Sequence, residues 1–140
     1  ISDLGILIGQ AFQIQDDIIG IYESEENIGK SILSDLAEGK KTILVVHANR
    51  ILKGKQKTHF LKIFNKKTKT MADLEEIKKI FIASGSLKYA LAAVNVRLKK
   101  ARTTLATLKM NPTYKKVIED SLLKLFSHSQ RIVDLYQPDR

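Results

Sequence analysis

Apolar residues recur every three or four positions along most of this chain. The longest run is Leu87, Ala90, Leu91, Val94, Leu98, Ala101, Leu105 and Leu108. Such spacing draws one stripe down an α-helix and cannot lie on one face of a strand. Only two prolines occur, Pro112 and Pro138, and alternating strand-like stretches are scarce. The expected fold is therefore all-α, a bundle of about six helices packed helix on helix. The pattern predicts helices over about Leu4 to Tyr22, from Ser34 or Asp35 through Thr42 to about Leu52, and from Lys57 to Asn65. Three more are predicted from near Asp73 to Gly85, from Ser86 to Leu108 and from Tyr114 to Tyr136. In the last of these, Val117, Ile118, Leu122, Leu125, Phe126, Ile132 and Val133 are expected to face inward. The 140 residues fit one domain with a real core, expected over residues 1–140. The chain opens at Ile1, directly on an apolar periodic stretch, which reads as a fragment of something longer.

The first predicted helix holds an anomaly. Asp16 and Asp17 stand among Ile14, Ile18, Ile19 and Ile21, with Leu4, Ile6, Leu7 and Ile8 upstream. A helix apolar nearly all round is expected to be buried. Adjacent buried carboxylates repel, and desolvation disfavours their charged forms, so they need compensation. A divalent cation supplies it economically. Gln13, Asp16, Asp17 and Gly20 fall at i, i+3, i+4 and i+7 and so share one face; Gly20 reads as a packing glycine. Downstream come Gly29-Lys30-Ser31, Ser34-Asp35 and Glu38-Gly39-Lys40-Lys41-Thr42. Carboxylate oxygens suit Mg²⁺, which takes one or two carboxylates and completes its shell with phosphates and water. Lysine is a point-charge partner for phosphate. Together they point to a diphosphate held through magnesium.

Other chemistries fall away. There is no cysteine, hence no disulfide framework, thiolate zinc site or cysteine nucleophile. The residues five before Gly29 and Gly39 are Ser24 and Ser34, so neither glycine-lysine pair fits the Walker A spacing. His47, His59 and His128 are isolated and read as surface or interhelix residues. No Ser/His/Asp arrangement is readable. No apolar run approaches the ~18 residues that span a bilayer. The net charge is +9, unevenly spread: residues 1–50 hold eight acids against four bases, and residues 51–140 twenty bases against seven acids. Such asymmetry can mean nucleic acid or an anionic surface, but the lysines are spread over several helices and read as a solvated exterior; nothing in the sequence reads bases, and no nucleic-acid partner is expected.

The motif pieces Phe12-Gln13-x-x-Asp16-Asp17, Gly29-Lys30 and Asp35-x-x-x-Gly39-Lys40-x-Thr42 resemble the second aspartate-rich region of the trans-isoprenyl diphosphate synthases, the polyprenyl synthetase family that makes farnesyl, geranylgeranyl and longer diphosphates. Residues 74–85, the long alanine-containing helix and the last helix resemble the end of such enzymes, so the resemblance covers essentially the whole chain. It implies the C-terminal part of the isoprenoid synthase fold. The family's usual Asp-Asp-x-x-Asp has Gly20 at its last position here, and the first Asp-rich motif with its paired arginines is not in this sequence.

The implied parent is a prenyltransferase of isoprenoid biosynthesis, condensing isopentenyl diphosphate with an allylic diphosphate using Mg²⁺. By resemblance Asp16 coordinates the metal directly, and Asp17 acts through water or by orienting neighbours. Lys30 and Lys40 contact the diphosphate. Phe12 and Gln13 line the substrate cavity, and Asp35 positions the lysines or bound water, or caps a helix. A cytoplasmic homodimer is implied for the full-length protein, and the fragment alone is expected to be inactive. The alternative is a noncatalytic helical partner subunit of a prenyl synthase.

Overall fold

The computed structural model describes residues 2–22 and 39–136. Six helices form among them: α1 (Ser2–Tyr22), α2 (Ile43–Ile51), α3 (Gly54–Phe64), α4 (Met71–Ala83), α5 (Ser86–Thr107) and α6 (Pro112–Tyr136). The all-α expectation holds. No described helix is long and apolar enough to cross a membrane.

The ends of the helices follow local chemistry. The Thr70 hydroxyl accepts from the Asp73 N–H, and the Asp73 carboxylate accepts from the Thr70 N–H, so α4 opens on a reciprocal cap. Gly85, at φ +77°, ends α4 and turns the chain into α5. A side chain disfavours that left-handed conformation, which is why glycine stands there. Pro112 opens α6, where its missing N–H costs nothing, and Asn111 Oδ1 accepts from the Thr113 N–H.

One boundary differs from expectation. The helix predicted to run from Ser34 or Asp35 to Leu52 begins, among the described residues, only at Ile43. Gly39 takes a left-handed φ of +73°, and the Thr42 side chain accepts from the Val45 N–H at 3.3 Å. A left-handed residue followed by an extended cap cannot continue a helix. The predicted caps Ser34 and Asp35 lie outside the described residues.

Helix α5 is the hub. Its stripe of Leu87, Ala90, Leu91, Val94, Ala101 and Leu105 is buried, and α1, α2, α4 and α6 pack on it. Helix α3 sits at the edge, held by Phe60 against Phe81 of α4 with ring centroids 6.1 Å apart. In α6 the buried residues are Leu122, Phe126, Ser129, Ile132 and Val133. Val117 and Leu125, expected inside, are exposed. The α6 stripe is narrower than its apolar content, because α6 meets the bundle along one line through 122, 126, 129 and 133.

Polar side chains tie this core together. Gln15 of α1 is buried; its Nε2 donates to the Leu125 carbonyl at 3.0 Å and its Oε1 accepts from Ser129 Oγ at 3.0 Å. Stranding such groups costs about 1–3 kcal/mol each, so these bonds hold α6 in register on α1. At the end of α1 the Tyr22 hydroxyl donates to the Lys78 carbonyl at 2.9 Å, and burial pushes that hydroxyl well above its ordinary range. The Tyr136 hydroxyl reaches the Tyr22 carbonyl at 3.3 Å.

His47 of α2 is buried, 2.8 Å from Ser86 Oγ and stacked on Tyr89 at 4.1 Å. Burial, and then the nearby Arg50 charge, hold its pKa below the ordinary 6.5. The folded chain therefore binds fewer protons here than the unfolded chain as pH falls through about 6.5 and below, and stability falls with pH. Urea midpoints measured at about pH 7.5 and about pH 5.5 are expected to drop on acidification, and His47→Gln is expected to shrink that drop. An equal drop in the variant would assign the acid sensitivity to other groups.

Candidate functional site

The site begins with how α1 turns. Ala11, Ile14, Gln15, Ile18, Ile21 and Tyr22 are its buried residues, whereas Ile6 is 57% exposed and Phe12 45% exposed. The expectation of a helix buried all round is therefore corrected. Among the described residues α1 has helices on one side and an open face on the other. Phe12, Gln13 and Asp16 lie on that open face.

The two carboxylates are not equivalent. Asp16 is exposed. The Asp17 side chain is only 9% exposed, and its Oδ1 lies 3.5 Å from Lys40 Nζ. A turn of 100° per residue separates their directions, which puts Asp16 in a row with Phe12 and Asp17 in a row with Gly9 and Gln13. The second row edges a cleft of about 500 Å³ lined by Gly9, Gln10, Gln13, Ile14, Asp17, Ile43 and Arg97. The structure thus brings Asp16, Asp17, Gln13, Phe12 and Lys40 to one region. Lys30 and Asp35 lie outside the described residues.

Lys40 reaches Asp17 because of the turn before α2. Gly39 reverses the chain in its left-handed conformation, the Thr42 N–H donates to the Lys40 carbonyl at 3.1 Å, and Thr42 then caps α2. A short, defined link therefore carries the ammonium from a packed helix to the carboxylate. The Lys40 side chain remains 51% exposed, so this pair is a weak tether in water and can exchange for another anion.

Arg97 of α5 escaped the sequence reading. Its Nε donates to Gln10 Oε1 at 3.3 Å and its Nη1 to the Ala93 carbonyl at 3.0 Å, which aims a guanidinium into the cleft. Its spacing carried the signal: Arg97 stands three after Val94 and four before Ala101, on the flank of the α5 stripe. Gln15 was missed in the same way; it lies four after Ala11 and three before Ile18, inside the buried row.

The reading of Gly20 as a packing glycine finds no support among the described residues: a Cβ built on it meets none of their atoms within 4 Å, which leaves room there for a larger side chain. Gly20 lies in the last turn of α1, and glycine within a helix is disfavoured by up to about 1 kcal/mol against alanine through backbone entropy. Among the described residues, no three His, Cys, Asp or Glu side chains are grouped so as to hold a metal ion. Asp16 and Asp17 on their own fit only a cation that completes its shell with substrate oxygens and water, as Mg²⁺ does.

Comparison with known proteins adds an independent line. The sequence profile of a family described as polyprenyl synthetase matches residues 1–81. The chain is 42% identical over 89 residues to a geranylgeranyl diphosphate synthase of Sulfolobus acidocaldarius, a match covering 64% of this chain and 27% of that protein. It is 34% identical over 122 residues to a geranylgeranyl diphosphate synthase of Saccharolobus solfataricus, covering 87% of this chain and 36% of the relative. A crystal structure of geranylgeranyl pyrophosphate synthase superposes with a TM-score of 0.78 at 28% identity, over 89% of this chain and 39% of that one. The chain thus spans about a quarter to two fifths of the proteins it matches.

Gly20→Ala is expected to raise the stability of this chain by up to about 1 kcal/mol, measured by urea denaturation. A destabilised variant would mean that the open space at Gly20 is filled in solution.

Proposed function

The chain belongs to the polyprenyl synthetase family, and on that footing we propose that it forms one side of a Mg²⁺-dependent diphosphate site. The parent reaction on this reading is prenyl transfer, the joining of isopentenyl diphosphate to an allylic diphosphate. The observation that carries it is the pairing of Asp17 with Lys40 at 3.5 Å beside the exposed Asp16. Two carboxylates and an exchangeable ammonium at an open helix face make a site that accepts an anion together with a hard cation.

Each residue then has a task. Asp16, exposed and pointing off the open face, is the direct metal ligand. Asp17, nearly buried, orients the Lys40 ammonium and contributes to the metal through water. Asp16 and Asp17 are the residues that would hold Mg²⁺, which would supply charge neutralisation at a departing diphosphate. Lys40 moves from Asp17 to a diphosphate oxygen and offsets the same growing charge. Lys30 is the second diphosphate contact on this reading, and Asp35 a positioning residue. Phe12 and Gln13 flank Asp16 on the open face, where an apolar ring and an amide suit a hydrocarbon chain joined to a polar head.

The reading includes a cytoplasmic homodimer for the intact protein. It also includes an inactive isolated chain, because the first Asp-rich motif is not among these 140 residues.

In the intact protein Asp16→Ala is expected to lower prenyl transfer at least about a hundredfold, as loss of a group acting on developing charge does. The isolated chain is expected to show no turnover. Unchanged activity in the Asp16→Ala protein would remove Asp16 as a metal ligand. Turnover by the isolated chain would overturn the two-sided site.

A further inference from the structure

From Gly39 to Ala72 the chain carries ten Lys or Arg residues and no Asp or Glu. The structure gathers half of them at one edge of the bundle. Lys53 stands just before the start of α3, Lys55, Lys57 and Lys62 lie on it, and Lys67 follows its end. All except the half-buried Lys57 are exposed. Lys66 is matched by Asp73 at 2.9 Å, but none of these five has an acidic partner within bridging distance among the described residues. These lysines are part of the solvated exterior expected from the sequence, here gathered on one short helix and its ends.

We propose that the α3 edge, Lys53, Lys55, Lys57, Lys62 and Lys67, is a docking surface for an anionic lipid bilayer. Clusters of four to eight basic residues on an amphipathic helix match the diffuse negative charge of lipid headgroups. The apolar side of α3 is already used: Phe60 and Ile63 are buried in the core. The helix therefore cannot roll its apolar face into the lipid, and attachment rests on charge. The chemistry favours a membrane over a nucleic acid. There is no arginine from position 51 to 96, no Phe, Tyr or Trp ring is exposed from 53 to 70, and the exposed His59 ring is engaged by Glu76 at 3.1 Å. The forked and stacking contacts that nucleic acids use are missing, whereas lysine point charges suffice for headgroups. Helix α3 contributes nothing to the Asp17 cleft, so this inference does not depend on the diphosphate reading.

Co-sedimentation with phosphatidylcholine vesicles, with and without phosphatidylserine, tests it. Binding is expected only with phosphatidylserine, and only at ~0.05 M rather than ~0.5 M salt, because screening acts within about 10 Å. Lys55→Gln/Lys62→Gln/Lys67→Gln is expected to weaken binding about a hundredfold, near a factor of five per lysine. The charge-matched control Lys99→Gln/Lys100→Gln/Lys109→Gln, on and just after α5, is expected to bind nearly as the unaltered chain does. Three results would overturn the proposal: no binding to the anionic vesicles, equal loss in both variants, or tighter binding to duplex DNA than to the vesicles.

Discussion

The structure depends on one stripe of α1 being buried against α5. Ala11, Ile14 and Ile18 leave water there, together with Gln15, and at ~25 cal/mol per Å² of apolar area this is a large local gain. Once that stripe is committed, every other direction on α1 is decided. Asp16 must point away from the bundle, and Asp17 must lie along its flank. The Gln15 bonds to Ser129 and Leu125 then lock α6 in register, since a slip would strand both ends of the buried Gln15 amide.

The same commitment explains why two neighbouring carboxylates differ. Asp17 tucks beside α2 and meets the ammonium that Gly39 and Thr42 deliver. Asp16 is exposed among the described residues. The compensation that adjacent buried acids would demand is therefore divided: water serves one carboxylate and Lys40 the other. Lys40 offsets the Asp17 charge while its own side chain stays half exposed. Arg97, held by Gln10 and the Ala93 carbonyl, adds a second cation across the same cleft.

Much of this was legible in the sequence. The three-and-four spacing of Leu87 to Leu108 marked the hub helix, and Gly85 marked the turn into it. The motif spacing marked Phe12, Gln13, Asp16, Asp17 and Lys40, which the structure brings to one region. What was misjudged shares a cause. The apolar abundance of α1 suggested burial all round, and that of α6 suggested that Val117 and Leu125 lie inside. Periodicity shows which residues share a face, but not how wide a face the neighbours cover. The start of α2 was misplaced because Thr42 reads as one more residue in a helical run until Gly39 is seen to be left-handed.

By itself the sequence determined the class of the fold, the order of the helices and the candidate residues, because local periodicity and motif spacing are properties of consecutive residues. Tertiary structure alone decided that Asp16 faces water while Asp17 faces Lys40. It also decided that Arg97 and Gln15 matter, and that five lysines without an acidic partner among the described residues collect on the edge formed by α3. These depend on which side of each helix meets another helix, and that follows from packing between segments far apart in the chain.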